Sequence, residues 1–267
     1  MTTVDDIRRH LDAAFLPRLA EEWDNTGLLV GRKSAPVQRV MTCLTITPST
    51  AAEAITRQTD LVVAHHPLPF RPLQKITDDT TPARLLLDLI ENRIAVYSPH
   101  TSFDSAATGI NQQLAVGIGL TGIAPLIPDD DDPDVGAARH GEFAEPLTLS
   151  ELADRVTAFL GVSGIKTAGP ALDRITRVAV ACGSGGEFLG CARRSGCQAL
   201  VTGETNFHTC LEAESVEMAL LLPGHYASER FAIEKLAERL GETFSNIEIW
   251  ASADESDPIR WNSNHAP

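Results

Sequence analysis

The chain has 267 residues, of which 43% are hydrophobic and 22% charged, the balance of a globular protein with a core large enough for two modest lobes. Its formal net charge of −14 argues against a nucleic-acid partner, because duplex binding is dominated by Lys and Arg contacts to phosphate, and the pairs Arg8-Arg9 and Arg193-Arg194 stand isolated. No apolar run is long enough to span a bilayer, the first residues lack a secretory pattern, and Cys43, Cys182, Cys191, Cys197 and Cys210 show no zinc or CxxC spacing, so the expectation is a cytoplasmic protein with reduced, mostly buried thiols and no membrane contact.

Residues 5–19 predict a helix, with Ile7, Leu11, Phe15 and Leu19 spaced four apart. In the turn-rich loop that follows, Asp24 and Asn25 read either as capping side chains or as groups beside a metal site. Residues 39–46 predict a strand and 49–57 a helix. The run 61–64 is short, apolar and β-branched, and it ends at His65-His66-Pro67, so it predicts a buried strand. Two polar rings are costly at such a place unless something coordinates or hydrogen-bonds them. Successive strand side chains diverge, so each imidazole can reach a different ion. Residues 81–92 predict a helix, and 94–97 a second short strand whose following loop holds His100 and Asp104. A helix is predicted over 108–116.

Five aspartates between Pro128 and Asp134 repel one another, and the run lacks the glycine and distal glutamate of an EF-hand loop. It predicts a solvated linker over 128–139, between a first α/β lobe (1–127) and a second (140–267). Thr148-Leu149-Ser150-Glu151 is a capping box before a helix through Leu160. Residues 175–181 predict a strand, followed by the turn Cys182-Gly183-Ser184-Gly185-Gly186-Glu187, a helix to 195, and a strand over 199–202. The turn has neither the GxGxxG nor the P-loop spacing, and Glu187 opposes an anion there, so it reads as a tight connection rather than a phosphate cradle. Glu204 and His208 follow the last of these strands. Gly224-His225-Tyr226-Ala227-Ser228-Glu229 opens a helix that runs through 230–240, with His225 and Glu229 on one face. Strands alternating with helices predict an α/β fold, two lobes with mixed or parallel sheets covered by helices and a site beyond the strands' carboxyl ends.

The strings Glu22-Trp23-Asp24-Asn25-Thr26-Gly27-Leu28, Val63-Ala64-His65-His66-Pro67-Leu68, His100-Thr101-Ser102-Phe103-Asp104, Thr202-Gly203-Glu204 with His208, and Gly224-His225-Tyr226-Ala227-Ser228-Glu229 occur in this order. Together they resemble the dinuclear-metal proteins called GTP cyclohydrolase I type-two homologues, or NGG-one-interacting-factor-three-like proteins. The resemblance covers nearly the whole chain. It implies a two-metal site between the lobes of an α/β protein that assembles as a toroidal hexamer. Carried over by position, the ligands are His65, His66, Asp104, His225 and Glu229. Two departures touch the surroundings of that site: Ser98-Pro99 precedes His100 where small residues are usual, and a single histidine, His208, stands where many relatives have two. The chain also has no room for the extra mid-chain domain of some relatives.

Three imidazoles and two carboxylates suit two divalent ions of zinc, iron, manganese, cobalt or nickel. The chemistry expected from such a pair is hydrolysis. The substrate suggested by the resemblance is a small anionic, nucleotide-like molecule. Glu204 is expected as a general base or as the group that orients a ligand imidazole, and His100 and His208 as proton shuttles or substrate contacts, with a structural hydrogen-bonding role open for each. The competing expectation is a non-enzymatic, hexameric assembly protein that binds or delivers metal.

Overall fold

A computed structural model describes residues 1–260; the end of the expected second lobe, 261–267, lies outside the described residues. Helix α1 (Val4–Ala14) starts at Thr3, whose hydroxyl accepts from the Asp6 amide while the Asp6 carboxylate accepts from the Thr3 amide. It ends short of residue 19 because Pro17 disfavours helix at the residue before it; Pro17–Leu19 forms a single 3-10 turn instead. The chain continues through β1 (Gly27–Val30), β2 (Arg39–Cys43), α2 (Pro48–Thr56), β3 (Leu61–Ala64), α3 (Thr81–Glu91), β4 (Ala95–Ser98), α4 (His100–Ser105) and α5 (Ile110–Gly117). Next come β5 (Thr121–Pro128), β6 (Gly136–Leu147), α6 (Leu149–Leu160), β7 (Lys166–Ala168), β8 (Ile175–Ala181), α7 (Leu189–Arg194), β9 (Ala199–Thr202), α8 (Phe207–Ser215), β10 (Ala219–Leu222), α9 (His225–Thr243) and β11 (Glu248–Ala251).

The first sheet has the order β1-β4-β3-β2-β11 and is parallel except for β1 against β4. Strand β3 is buried on both faces, which is why its sequence is a continuous apolar run. Leu61 and Val63 pack in a core with α1 and α9, while Val62 and Ala64 face a core built with α2 and α3. The second sheet has the order β5-β6-β8-β9-β10-β7, with β8, β9 and β10 parallel and the rest antiparallel. Val178, Val180 and Val201 share a core with α5 and α6; Ala179, Ala181 and Leu200 share another with α7 and α8. The molecule is therefore α/β, with two helix-covered mixed sheets. The capping box at Thr148 forms as the sequence predicts, and α6 stops at Gly161 in the left-handed conformation.

The run 128–139 is not a linker between lobes. Pro128 pairs with Gly136 and Ile127 with Ala137, so the aspartates form the turn of the β5–β6 hairpin. Gly136 has φ +142°, and a Cβ there would stand 2.2 Å from the Ile127 carbonyl oxygen, so the tight approach of the two strands requires glycine. The sheets also do not divide the chain at that point. Thr121–Pro128 already belongs to the second sheet, and the C-terminal strand β11 returns to pair in parallel with β2 of the first. Among the described residues no helix is long and apolar enough to cross a membrane.

Candidate metal centre

The parallel pairing of β2, β3 and β4 brings their carboxyl ends to one edge. His65 and His66 extend β3, donating their amides to the carbonyls of Cys43 (3.0 Å), the last residue of β2, and Leu44 (2.8 Å), just beyond it. The short helix α4 follows β4 directly and carries His100 and Asp104. Helix α9 begins at His225, immediately after Gly224 (φ +105°), and places the buried Glu229 one turn further on. Three segments far apart in sequence thus meet at the ends of the first sheet's strands, where open α/β sheets collect their sites.

All five residues carried over from the resemblance come together. His65 Nε2 lies 3.6 Å from Asp104 Oδ1 and 3.9 Å from Glu229 Oε1. Glu229 Oε2 lies 3.3 Å from His66 Nε2 and 3.2 Å from His225 Nε2. The two groups His65/His66/His100 and His66/His225/Glu229 each bring three ligand atoms within 4.8 Å of one another, so these partly buried clusters can hold a metal ion. The donor set fits one: His65 Nδ1 and Nε2, Asp104 Oδ1 and Glu229 Oε2 are buried and have no hydrogen-bond partner. Of these, His65 Nε2 faces Asp104 and Glu229, and orphaned polar atoms of this kind are a large cost that a cation among them would relieve; Nδ1, on the other side of the His65 ring, is not reached by that ion.

The electrostatics agree with that reading. Burial drives His65 well below its ordinary value, towards the neutral imidazole that a metal needs. Burial would raise Glu229, but the imidazoles of His225 and His66 outweigh it and hold the carboxyl well below the usual range. The Glu229 contact lifts His225 to about 9 against burial, with Glu204 adding to the effect. Asp104 is pushed well up by burial and by the carboxylates of Glu229 and Asp24. A divalent cation beside Asp104 would offset both the burial and the repulsion from Glu229 and Asp24.

The other expected residues separate. Glu204 Oε1 is 3.0 Å from His225 Nδ1, on the side of the ring away from Glu229. His100 Nδ1 is 2.7 Å from Asp24 Oδ1, and its ring centroid stands 5.1 Å from that of His65 and 5.6 Å from that of His66. His208 does not reach the cluster. It is exposed on the first turn of α8, beside Phe207, and absent from the cavity walls.

Some neighbours carry no motif of their own. Thr45 Oγ1 is 2.7 Å from His66 Nδ1 and fixes that ring. Glu255 accepts from the amides of Leu44 (2.8 Å) and Thr45 (2.7 Å) and so holds the loop that bears Thr45. Asp24 is fully buried at its side chain and held at about 2, since hydrogen bonds from His100 and Thr101 outweigh the burial that would raise it. A cavity of about 500 Å³ opens on the cluster, walled by Trp23, Phe70 and His100 on one side and by Cys182, Gly185 and Phe188 of the glycine-rich turn on the other. The signal for Thr45 lies in the pairing: once β2 and β3 are parallel neighbours, the residues after β2 must stand beside those after β3.

The profile of the Duf34/NIF3 (NGG1p interacting factor 3) family matches residues 2–258. A GTP cyclohydrolase 1 type 2 homolog of Clostridium perfringens is 31% identical over 244 residues, which cover 91% of this chain and 93% of that protein. The NIF3 homolog of Schizosaccharomyces pombe is 31% identical over 272 residues, covering 95% and 96%. Among solved structures, a hypothetical protein of Staphylococcus aureus superposes with a TM-score of 0.88 at 24% identity, over 97% of this chain and 99% of that one. A Bacillus cereus protein related to NIF3 matches equally well, with a TM-score of 0.88 at 22% identity and the same coverage. By the match to the family profile and by relatives above 30% identity over nearly its whole length, the chain belongs to the Duf34/NIF3 family.

Proposed function

We propose that this protein is a hydrolase of a small molecule that uses two divalent transition-metal ions held by His65, His66, Asp104, His225 and Glu229. The observation that carries the reading is Glu229: a buried carboxylate whose two oxygens face different imidazoles, Oε1 towards His65 and Oε2 towards His66 and His225. Bound ions would be held between these groups, with His65 and Asp104 near Oε1 and His66 and His225 near Oε2. Bound ions would supply Lewis acidity and acidify water near neutral pH.

The protein's own groups complete the site. Glu204, at His225 Nδ1, fixes that ring with Nε2 towards Glu229. Asp24 Oδ1 faces His100 Nδ1 at 2.7 Å, and with Nδ1–H donated to that carboxylate a neutral imidazole would present Nε2 as an acceptor. His100 is then set to remove a proton from attacking water, with Asp24 steadying the imidazolium that results. Trp23 and Phe70 bound the cavity beside it. A nucleotide-like substrate fits the aromatic part of this wall better than its acidic part. The toroidal hexamer implied by the family resemblance is part of the same proposal and is read by sedimentation of the native protein. All five cysteines are unpaired, which supports a reducing, cytoplasmic location.

Two variants test the reading on the metal-loaded protein, against a panel of small hydrolysable compounds with elemental analysis in parallel. His65→Ala should lose metal and all turnover. Asp24→Asn should keep its metal and lose turnover by about two to four orders of magnitude, the usual worth of a positioned proton acceptor. Metal bound with no turnover of any compound by the wild type would favour the competing role in metal storage or delivery. Full metal content in His65→Ala would remove the proposed centre.

A further inference from the structure

We propose that the cavity over the candidate metal centre binds a planar nitrogen heteroaromatic ring that carries no phosphate or other anionic group. The inference rests on the hydrolase reading above and narrows its substrate.

The first observation is an aromatic cup with its faces uncovered. Trp23 is 62% exposed and Phe70 49% exposed, although both line the cavity. Their ring centroids are 6.0 Å apart, and each stands edge-on to His100, at 6.0 Å and 5.9 Å respectively. The three rings form a triangle whose floor leads to His65 and His66. Exposed apolar faces that converge on a polar centre mark a ligand site rather than an idle surface. The cup is also built into the site. Asn25 Nδ2 donates to the Pro69 carbonyl (2.7 Å), tying the Trp23 loop to the Phe70 loop, and neighbouring Asp24 is bonded to His100 and Thr101. Rings held in this way bind a flat aromatic partner with little ordering cost, and every heteroaromatic base offers a π face to stack.

The second observation is charge. Among the described residues that line the cavity, Glu21, Asp104, Glu187 and Glu229 are acidic and none is Lys or Arg. Asp104 and Glu229 are assigned to the ions, which leaves Glu21 and Glu187 on the walls. A phosphate chain on a ring stacked against the exposed face of Trp23 or Phe70, running along the walls rather than onto the ions, would meet Glu21 and Glu187 and no arginine or lysine, the side chains on which recognition of such chains relies. A neutral or protonated ring meets π faces and carboxylates, both of which favour it.

The experiment uses the full-length, metal-loaded protein and measures binding of adenosine, guanosine and cytidine, their 5′-triphosphates, and ribose 5-phosphate as a ringless control. At least one nucleoside should bind about tenfold more tightly than its triphosphate, and ribose 5-phosphate should not compete. Trp23→Ala and Phe70→Ala should each weaken that binding about tenfold, the effect of removing one base–aromatic stack, with metal content unchanged. Iodide should quench the fluorescence component that Trp23→Phe removes. Triphosphates binding as tightly as nucleosides, nucleoside binding unaltered in Trp23→Ala, or a Trp23 shielded from iodide by a second copy would each overturn the inference. Metal content separates the two readings: a wild type that holds no metal sinks the hydrolase proposal, whereas a metal-replete wild type with the wrong ligand preference sinks this one alone.

Discussion

Gly183 is the residue on which the place of Glu229 depends. A Cβ built there would stand 2.2 Å from Glu229 Oε1 and 3.3 Å from His225 Nε2, at a backbone φ of +63°. The backbone cannot yield, because the Gly183 amide donates to Ser228 Oγ (2.9 Å) and its carbonyl accepts from the Glu204 amide (2.9 Å). Gly183→Ala should therefore push the Glu229 carboxylate off its position and weaken metal binding at least roughly tenfold, about 1.4 kcal/mol, in competition with a chelator. Gly161→Ala is the control: its φ of +67° imposes the same strain, but nothing lies within 4 Å of the added carbon. Equal losses in the two variants would leave the contact with Glu229 without a role. His100 belongs to the same scale. It is a non-glycine residue at φ +30°, held there by Asp24, and backbone strain of this kind persists where the surroundings over-determine it.

At the scale of elements, α2 anchors the C-terminal segment through one buried carboxylate. Glu53 accepts from Trp250 Nε1, Ala253 N and Asp254 N, each at 3.1 Å, and from the Ser252 hydroxyl. That fastens β11 and the residues after it, which lead to Glu255, Thr45 and finally the His66 ring. Burial alone would raise the Glu53 carboxyl, but these hydrogen bonds lower it below its ordinary 4.5. The folded chain then binds fewer protons at this group than the unfolded chain. Its stabilisation is present above about pH 4.5 and is lost as the pH falls through the lower, folded-state value. Glu53→Gln should cost about 1–3 kcal/mol at pH 7, the worth of hydrogen bonds to a buried charged group. In urea titrations the gap from wild type should shrink below pH 4.5. A gap that stays constant down to pH 3 would show that the charge of Glu53 is not what holds the segment.

Across the whole molecule, the proposed ligands all sit on elements packed against the first sheet, while the second sheet supplies a wall. Helix α9 follows β10 of the second sheet yet buries Ala232, Ile233, Leu236 and Leu240 in the first sheet's core, and Phe231 touches the cores of both. Asn111 links the two halves at the site, donating to the Asp104 carbonyl (3.1 Å) and accepting from the Cys182 amide (2.7 Å). Ions clasped by β3, α4 and α9 would bind the folded chain and not the unfolded one. Removing them with a chelator should lower the melting temperature. With metal at a hundred times its dissociation constant the loss is about 2.7 kcal/mol, or roughly 5–10 °C for a chain of this size. Identical melting with and without chelator would argue against a bound ion.

Local patterns in the sequence determined the α/β class, most helices, the buried β3 run, the capping box at Thr148 and the shared face of His225 and Glu229, because each is set by neighbours within a few residues. The resemblance supplied the five-ligand set, Asp104 included. Folding decided the rest. The aspartate run became a hairpin turn because β5 and β6 pair across it, and the packing of α8 left His208 exposed and away from the cavity. The partners of the site lie far apart in the chain: Asp24 with His100 across 76 residues and Glu255 with Leu44 across 211. Contacts over such separations leave no periodicity to read, since only the closing of both sheets brings those side chains within hydrogen-bond reach.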